Sequence, residues 1–260
     1  MAKTKTKIIA ICNQKGGVGK TTTAVNLAAF LAATENPTLV VDMDPQANCT
    51  SGFGVKVGSY KKSVYDVIIG KHDIEECILN SKLDFLDILP GSPQLVGAEI
   101  ELVGMLTRER MLKDQLNSRE VQSKYKYIII DSPPSLGLLT INVLTAAHTI
   151  IIPIQCEYYA LEGLSQLLNT IRLVQKKLNK KLSIEGILAT MFDTRLNLSK
   201  EVVKELKEYF GDKVYKTTIN RNVRLGEAPS HGEPILLYDA SSIGAQDYMN
   251  LTLEFLKKNE

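Results

Sequence analysis

A glycine-rich stretch near the start of the chain, KGGVGKTTT at residues 15–23, has the residue types that bind a nucleotide phosphate. It follows a short apolar run and precedes a helix-like segment, which is the context of a true phosphate-binding loop. Backbone N–H groups of such a loop converge on phosphate oxygens, and the helix N-terminus adds its positive end. The loop contacts predicted from the sequence are Gly16, Gly17, Val18, Gly19, Lys20 and Thr21.

Two residues of this loop carry the specific chemistry. We expect Lys20 to reach the β- and γ-phosphates and the Thr21 hydroxyl to ligate Mg²⁺. The usual pattern G-x-x-x-x-G-K-[ST] needs a glycine where this chain has Gln14. A second lysine, Lys15, stands where the usual loop has no lysine, so its role needs a separate explanation.

Acidic residues end two of the apolar runs. Asp131 closes YIIID, and Asp42 and Asp44 lie in VVDMDPQ. The carboxyl ends of parallel strands meet at one edge of a sheet, so these carboxylates should lie near the phosphate loop. We expect Asp131 to stand beside Mg²⁺, acting through a coordinated water.

Strand-like and helix-like segments alternate from one end of the chain to the other, which predicts an α/β fold with a doubly wound, mostly parallel sheet. Several apolar runs lack polar alternation, as strands covered on both faces should. With no repeat or linker in the sequence, we expect one domain over residues 1–260. The predicted strands are 7–13, 38–42, 85–89, 127–131, 149–154, 187–192 and 214–219, and the predicted helices are 21–33, 94–106, 138–147, 160–178, 200–210 and 245–257.

Composition excludes several other classes of protein. The four cysteines are scattered, with no CxxC pair, which argues against a disulfide framework or a zinc site. The apolar run after the basic N-terminus is too short for a secretory signal, and polar residues interrupt the long apolar stretch 136–156. These features predict a cytoplasmic protein.

Positive charge is concentrated in one part of the chain. Between Arg172 and Arg224 there are 13 Lys or Arg and 6 Asp or Glu, a local excess of +7 in a chain whose net charge is +2. Such a segment indicates either a polyanion-binding face or a solvated surface with unevenly placed lysines. Lys200, Lys204 and Lys207 share one helix face, but glutamates run beside them, which favours a salt-bridged face there.

The chain resembles the ParA family of chromosome and plasmid partition ATPases, in particular its short chromosomal members. NQKGGVGKTTTAVNLA, VVDMDPQAN, YIIIDSPPSLGLLTIN, PIQCEYYALEGL and NRNVRLGEAPSHG carry the resemblance. It implies a P-loop NTPase of the deviant Walker A class, with ATP and Mg²⁺ as cofactors and slow hydrolysis without a partner. In this class Gln14 is a normal departure from the usual loop.

The resemblance implies roles for individual residues. Lys15 would reach across a dimer interface to the phosphates held by the other subunit. Asp44 is the candidate to orient the attacking water, with Asp42 beside the magnesium shell, although geometry must decide between the two. Thr22 would contact the α-phosphate.

The adenine-contacting segment departs from the family pattern. Asn222 and the backbone around Asn220 match this segment, but the family usually reads I-P-R-N and this chain reads Ile219-Asn220-Arg221-Asn222. A contact made by main-chain atoms would survive the change. If the fixed φ of proline shapes the loop, the nucleotide would fit less tightly.

The resemblance also implies partners. These are a second copy in an ATP-dependent homodimer, a ParB-like centromere-binding protein, and double-stranded DNA bound without sequence preference. The DNA contacts would come from Arg195, Arg221 and Arg224, and the ATP-bound protein would associate with the nucleoid. No aromatic residues interleave with these arginines, so base stacking on single strands is not expected.

A second reading is a MinD-like, membrane-associated ATPase that positions cell-division proteins or other cargo. That class uses a short basic amphipathic helix at its C-terminus. The end of this chain, YMNLTLEFLKKNE, has Met249, Leu253 and Leu256 at helical spacing, widened by Leu251 and Phe255. Such a stripe usually packs against the sheet, and few basic residues flank it, so membrane binding is the less favoured reading.

Overall fold

Apolar runs buried on both faces form a central sheet. The computed structural model describes residues 6–157 and 163–259, and within them seven strands form one sheet in the order β3-β4-β2-β5-β1-β6-β7. All neighbouring pairs are parallel except β3 with β4. The predicted α/β class and doubly wound, mostly parallel sheet are confirmed. The strands are β1 Lys7–Ile11, β2 Thr38–Asp42, β3 Leu79–Asn80, β4 Leu86–Leu89, β5 Tyr127–Asp131, β6 Thr149–Gln155 and β7 Ser183–Thr190.

Helices cover both faces of this sheet. One face packs against α1, α11 and α12, and the other against α3, α4, α5, α7, α8 and α9. The α-helices of the described residues are α1 Lys20–Ala33, α2 Asn48–Ser51, α3 Val64–Ile68, α4 Leu95–Val103, α5 Met111–Leu116, α6 Arg119–Lys124, α7 Leu138–Ala146, α8 Leu164–Lys177, α9 Asn197–Phe210, α10 Val223–Glu227, α11 Ile235–Tyr238 and α12 Ile243–Lys258.

Strand β1 shows why the apolar runs lack alternation. Ile8 and Ala10 belong to the hydrophobic cluster on one face, whereas Ile9 and Ile11 belong to the cluster on the other. All four are buried. A polar side chain in the middle of a strand covered on both faces would be buried without water, which is unfavourable. Polar residues are therefore confined to the ends of the strand. That placement brings the chemically active residues to the carboxyl edge of the sheet.

The prediction of a strand at 214–219 is wrong. This segment follows β7 but forms only isolated bridges, Ile187 with Val214 and Phe192 with Asn220. Between the bridges, the N–H groups of Lys216 and Thr217 donate to the carboxylate of Glu254 on α12. A continuous ladder of hydrogen bonds with β7 therefore does not form. Strand β7 itself begins at Ser183, four residues earlier than predicted.

Other differences concern element ends and short elements. The antiparallel edge strand β3 and the short helices α2, α3, α5, α6, α10 and α11 were not predicted. The predicted helix 160–178 and the motif EYYALEGL fall partly on residues 158–162, which lie outside the described residues. No helix in the described part of the chain combines the length and the apolar composition needed to cross a bilayer.

The apolar stripe at the C-terminus divides into two parts. Leu251 and Phe255 of α12 are fully buried against the sheet, whereas Met249 and Leu253 are 49% and 53% exposed. The stripe therefore does not pack as one unit, and the prediction is corrected on this point. The inward residues of α12 anchor the helix, and Met249 and Leu253, one turn apart, are neighbours on its exposed face.

Candidate nucleotide site

The phosphate loop lies between β1 and α1, as its sequence context predicts. Gly17 and Gly19 have φ values of 74° and 88°, in the left-handed region where a side chain is strained. Gly19 also precedes the first turn of α1, and none of the described side chains caps that turn. Its backbone N–H groups are therefore available to an anion.

The two lysines of the loop point in different directions. Lys20 is buried, and its Nζ donates to the carbonyl oxygen of Lys15 at 3.0 Å. The Lys15 side chain is 41% exposed, and its Nζ lies 3.2 Å from the carboxylate of Glu157 at the surface. Burial lowers the pKa of Lys20, and the nearby carboxylate of Asp131 opposes that shift. One lysine thus faces the site of its own chain, and the other faces outward.

Thr21 and Asp131 are in direct contact. The Thr21 hydroxyl donates to Asp131 Oδ2 at 2.8 Å. Asp131 Oδ1 is buried and forms no hydrogen bond with any described residue. Burial, and then the neighbouring Asp42, raise the pKa of Asp131 well above its usual value. An unsatisfied carboxylate oxygen beside a threonine hydroxyl has the donor chemistry that Mg²⁺ and its waters prefer, so these residues fit the cation.

Asp42 and Asp44 have different surroundings. Asp42 pairs with Asp131 in the register of β2 and β5 and is fully buried. Its Oδ2 accepts from the backbone and hydroxyl of Thr50 at 2.8 and 2.6 Å, and its Oδ1 accepts from Asp44 N at 3.2 Å. Burial raises the pKa of Asp42 to about 6. Gly91 packs so closely on this carboxylate that a Cβ would lie 2.8 Å from its carbon.

The Asp42 carboxylate thus holds the loop that follows β2. Asp44 is 7% exposed, and one of its oxygens accepts from Gln46 N at 2.9 Å. Of the two acids, Asp44 is the one with an oxygen not engaged by the hydrogen bonds that fix this loop. The geometry therefore favours Asp44 for contact with a ligand, and the placement of Asp42 near magnesium stays a prediction.

A cavity of about 290 Å³ extends from the phosphate loop. Gly19 and Thr22 border one side, and Asn220 and Asn222 border the other. The Asn220 side-chain amide donates to Asp247, and the Asn222 side chain accepts from Arg224 N as the cap of α10. The structure thus brings together the loop and the segment predicted to contact adenine.

Sequence reasoning missed five residues that line this cavity: Thr190, Met191, Leu225, Gly226 and Tyr248. Thr190 ends β7 and donates to the Val18 carbonyl oxygen at 2.8 Å, and Met191 follows with a φ of 50°. The strand-end signal used for Asp131 does not identify Thr190 from the sequence, because the predicted strand continues to residue 192 whereas β7 ends at Thr190. No local signal could identify Tyr248, because α12 reaches the cavity from the other end of the chain.

The three arginines predicted to contact DNA lie on neighbouring segments. Arg221 also lines the nucleotide cavity, whereas Arg195 and Arg224 are exposed and do not line it. Arg195 is bound by Asp193 at 2.7 Å, and Arg195 together with Arg221 lowers the pKa of Asp193 to about 2. Arg224, on α10, lies 2.9 Å from Glu227 and 3.5 Å from Asp239. We call Arg195, Arg221 and Arg224 the arginine surface.

Comparison with known proteins decides the family. A family model described as an AAA domain matches residues 6–184. The sporulation initiation inhibitor protein Soj of Bacillus subtilis is 58% identical over 95% of this chain and 97% of its own. The chromosome partitioning protein ParA of Myxococcus xanthus is 52% identical over 97% and 89%. The chain belongs to the ParA family of chromosome-partitioning ATPases.

Solved structures place this ParA family member among nucleotide-binding folds. A putative plasmid partition protein from Borrelia burgdorferi, bound to AMPPNP, has a TM-score of 0.83 at 30% identity, with 98% of this chain and all of that chain covered. A cobyrinic acid a,c-diamide synthase from Mycobacterium smegmatis, with ADP and magnesium, has a TM-score of 0.85 at 33% identity, with 98% and 97% covered. The ParA family member described here is an ATPase.

Proposed function

We propose that this ATPase is a partition switch: ATP binding pairs two copies, the pair binds duplex DNA, and a ParB-like partner triggers hydrolysis and release. ATP and Mg²⁺ are its cofactors. The proposal includes one ATPase domain over residues 1–260 and association with the nucleoid in the ATP-bound state. The observation that carries it is the outward direction of Lys15, since a lysine in a phosphate loop that faces away from its own site can serve another.

The loop residues divide the work on the nucleotide. Lys20, the backbone of 16–19 and the first turn of α1 hold the phosphates, and Thr22 contacts the α-phosphate. Thr21 and Asp131 hold Mg²⁺, which neutralises charge on the phosphates when bound. Asp44 orients the attacking water, and Asp42 holds the loop that carries Asp44.

Lys15 acts on the neighbouring copy. A cation supplied in trans stabilises the charge that develops during phosphoryl transfer, and such groups contribute roughly 10³–10⁵ in rate. In the pair, each copy would present Lys15 to the phosphates of the other. Pairing and hydrolysis would therefore depend on the same side chain.

The decisive experiment is sizing in solution with ATP and Mg²⁺. We expect the wild type to dimerise, Asp44→Ala to form a stable dimer that does not hydrolyse ATP, and Lys15→Ala to lose productive pairing. ADP with the wild type is the matched control and should leave monomers. Monomeric wild type and Asp44→Ala at saturating ATP would overturn the proposal.

DNA binding would use the arginine surface of both copies. With about six phosphate contacts in the pair, log K should fall with a slope of roughly −5 against log salt. DNA gel shifts in ATP and in ADP measure this directly. Binding that is equally tight without ATP, or that ignores ionic strength, would contradict the proposal.

The second candidate is a MinD-like membrane ATPase, and the exposed Met249 and Leu253 of α12 are the observation in its favour. Pelleting with anionic liposomes, in ATP and in ADP, separates the two functions. We expect the protein to remain in the supernatant under both conditions. ATP-dependent pelleting that is lost in Leu253→Ser would favour the membrane function.

A further inference from the structure

One carboxylate of α12 holds the segment that borders the nucleotide cavity. Asp247 Oδ2 accepts from the backbone N–H of Asn220 at 2.8 Å, and both of its oxygens accept from the Asn220 side-chain amide, at 3.0 and 3.2 Å. Asp247 is only 8% exposed. Hydrogen bonds to a charged acceptor shielded from water are stronger than neutral ones. The backbone and the side chain of Asn220 are therefore fixed together.

The same turn of α12 also contacts the phosphate-loop helix. Tyr248 lines the cavity, and its hydroxyl lies 3.1 Å from the Thr23 hydroxyl of α1. Thr22, the neighbour of Thr23, lines the cavity as well. Two consecutive residues of α12 thus bind the two sides of the cavity, Asp247 the Asn220 segment and Tyr248 the helix that begins at the loop.

Asn220 depends on Asp247 for its backbone. The N–H groups on either side, those of Ile219 and Arg221, donate to carbonyl oxygens of Ala189 and Phe192. The Asn220 N–H points the other way and donates to Asp247. A proline at this position has no N–H and fixes φ by its ring, so the hydrogen bonds that Asn220 donates to Asp247 can replace that constraint.

We propose that Asp247 is a positioning residue for the nucleotide base, acting through Asn220. It sets the width of the cavity where the base enters and leaves the phosphates to the loop. This inference rests on the proposed function, because it takes the cavity as the base end of the ATP site.

Steady-state ATPase kinetics test the proposal. We expect Asp247→Ala to raise KM for ATP about tenfold, as loss of hydrogen bonds to a charged acceptor predicts, with kcat within about twofold. The matched control is Glu254→Ala on the same helix. Glu254 accepts from Lys216 N at 2.8 Å and Thr217 N at 2.9 Å of the same segment, away from the cavity. This control should leave KM within about twofold.

A phosphate-only probe separates positioning of the base from general damage. Inorganic tripolyphosphate, used as a competitive inhibitor, contacts the loop alone, so its inhibition constant should be the same in wild type and Asp247→Ala. An equal loss of affinity for tripolyphosphate and ATP would overturn the inference. If Asp247→Ala does not fold, Asp247→Asn keeps one acceptor. This variant should raise KM for ATP by about threefold and leave the inhibition constant of tripolyphosphate unchanged.

A double-mutant cycle with Asn220→Pro completes the test. The proline ring removes the donor that Asp247 binds, so Asp247→Ala should have little further effect on KM in that background. Full additivity of the two changes would overturn the inference. Lys20→Ala tests the nucleotide site separately from the role of Asp247. This variant should abolish ATP binding. If ATP still binds, the nucleotide site itself is wrongly assigned.

Discussion

The nucleotide edge of the sheet and the arginine surface both concentrate charge, but they neutralise it to different degrees. At the nucleotide edge, Asp42 and Asp131 are fully buried side by side, and burial raises the pKa of both. At the arginine surface, Arg195 and Arg224 are exposed and already paired with acids of their own chain. The first region has three buried acids and one buried lysine, Lys20, whereas the second region pairs each of these arginines with an acid.

This difference shows how each region responds to a ligand. Buried carboxylates without enough positive charge destabilise the fold, and a bound cation removes that penalty, so the nucleotide edge is arranged for its ligand at the expense of stability. Exposed arginines with acidic partners must exchange those partners for phosphate. Binding there should be weaker and more sensitive to salt.

The largest effect is expected at Asp131. Asp131→Asn keeps an acceptor for the Thr21 hydroxyl but removes the charge that Mg²⁺ requires, so ATPase activity should fall at least about a hundredfold. Removing one of two adjacent buried carboxylates should also raise the melting temperature of the nucleotide-free protein by about 2–4 °C. Steady-state assays and calorimetry measure the two effects.

Asp212 is exposed, so Asp212→Asn is the control for that prediction. It should change neither the ATPase activity nor the melting temperature. If Asp131→Asn lowers the melting temperature, the carboxylate is a stabilising part of the fold and the contrast between the two regions fails.

The next effect is on DNA affinity. Arg224→Ala should weaken duplex binding by the ATP-bound protein about tenfold and reduce the salt slope by about 2, one contact from each copy. Arg119→Ala removes the same charge from an exposed site on α6 and is the matched control. Equal losses in both variants would show that net charge alone, and not the arginine surface, attracts DNA.

A smaller effect, of opposite sign, is expected at Asp193. Asp193→Asn frees Arg195 from its bidentate partner, so duplex affinity should rise by about two- to fivefold at constant salt. Titrations by fluorescence anisotropy would resolve that change. Unchanged or weaker binding would mean that Asp193 orients Arg195 for DNA and does not compete with it.

The smallest effect is expected on α9. Lys204 is exposed and lies 3.9 Å from Glu208, an arrangement typical of a solvated helix face. Lys204→Ala should change DNA affinity by less than about twofold. A loss as large as that of Arg224→Ala would extend the arginine surface to α9.

The sequence predicts the centre of the fold well and its periphery poorly. Strands β1, β2 and β5 are continuous apolar runs that only a two-sided burial explains, and their polar ends identify the site. The segment 214–219, VYKTTI, is also rich in β-branched residues, but the N–H groups of Lys216 and Thr217 donate to the Glu254 carboxylate of α12. No local pattern records that competition.

The candidate site divides in the same way. The loop 15–22 and the acids at strand ends can be predicted from residues that are neighbours in the sequence. Tyr248 lines the cavity and Asp247 binds Asn220, which also lines it. Both residues lie on α12, more than 200 residues after the loop, so only the folded chain associates them with the site. The hydrogen bonds that Thr50 donates to Asp42 distinguish the role of Asp42 from that of Asp44. These bonds are likewise visible only in the folded structure.

The ion pair between Lys15 and Glu157 has a consequence for how two copies recognise each other. The two side chains are 41% and 46% exposed, so the pair is weak and opens readily. In the proposed dimer, Lys15 would leave this carboxylate for a triphosphate with several negative charges. In a single copy, Glu157 would then occupy Lys15 in place of the partner's phosphates, and only a nucleotide rich in phosphate would displace Glu157 from Lys15.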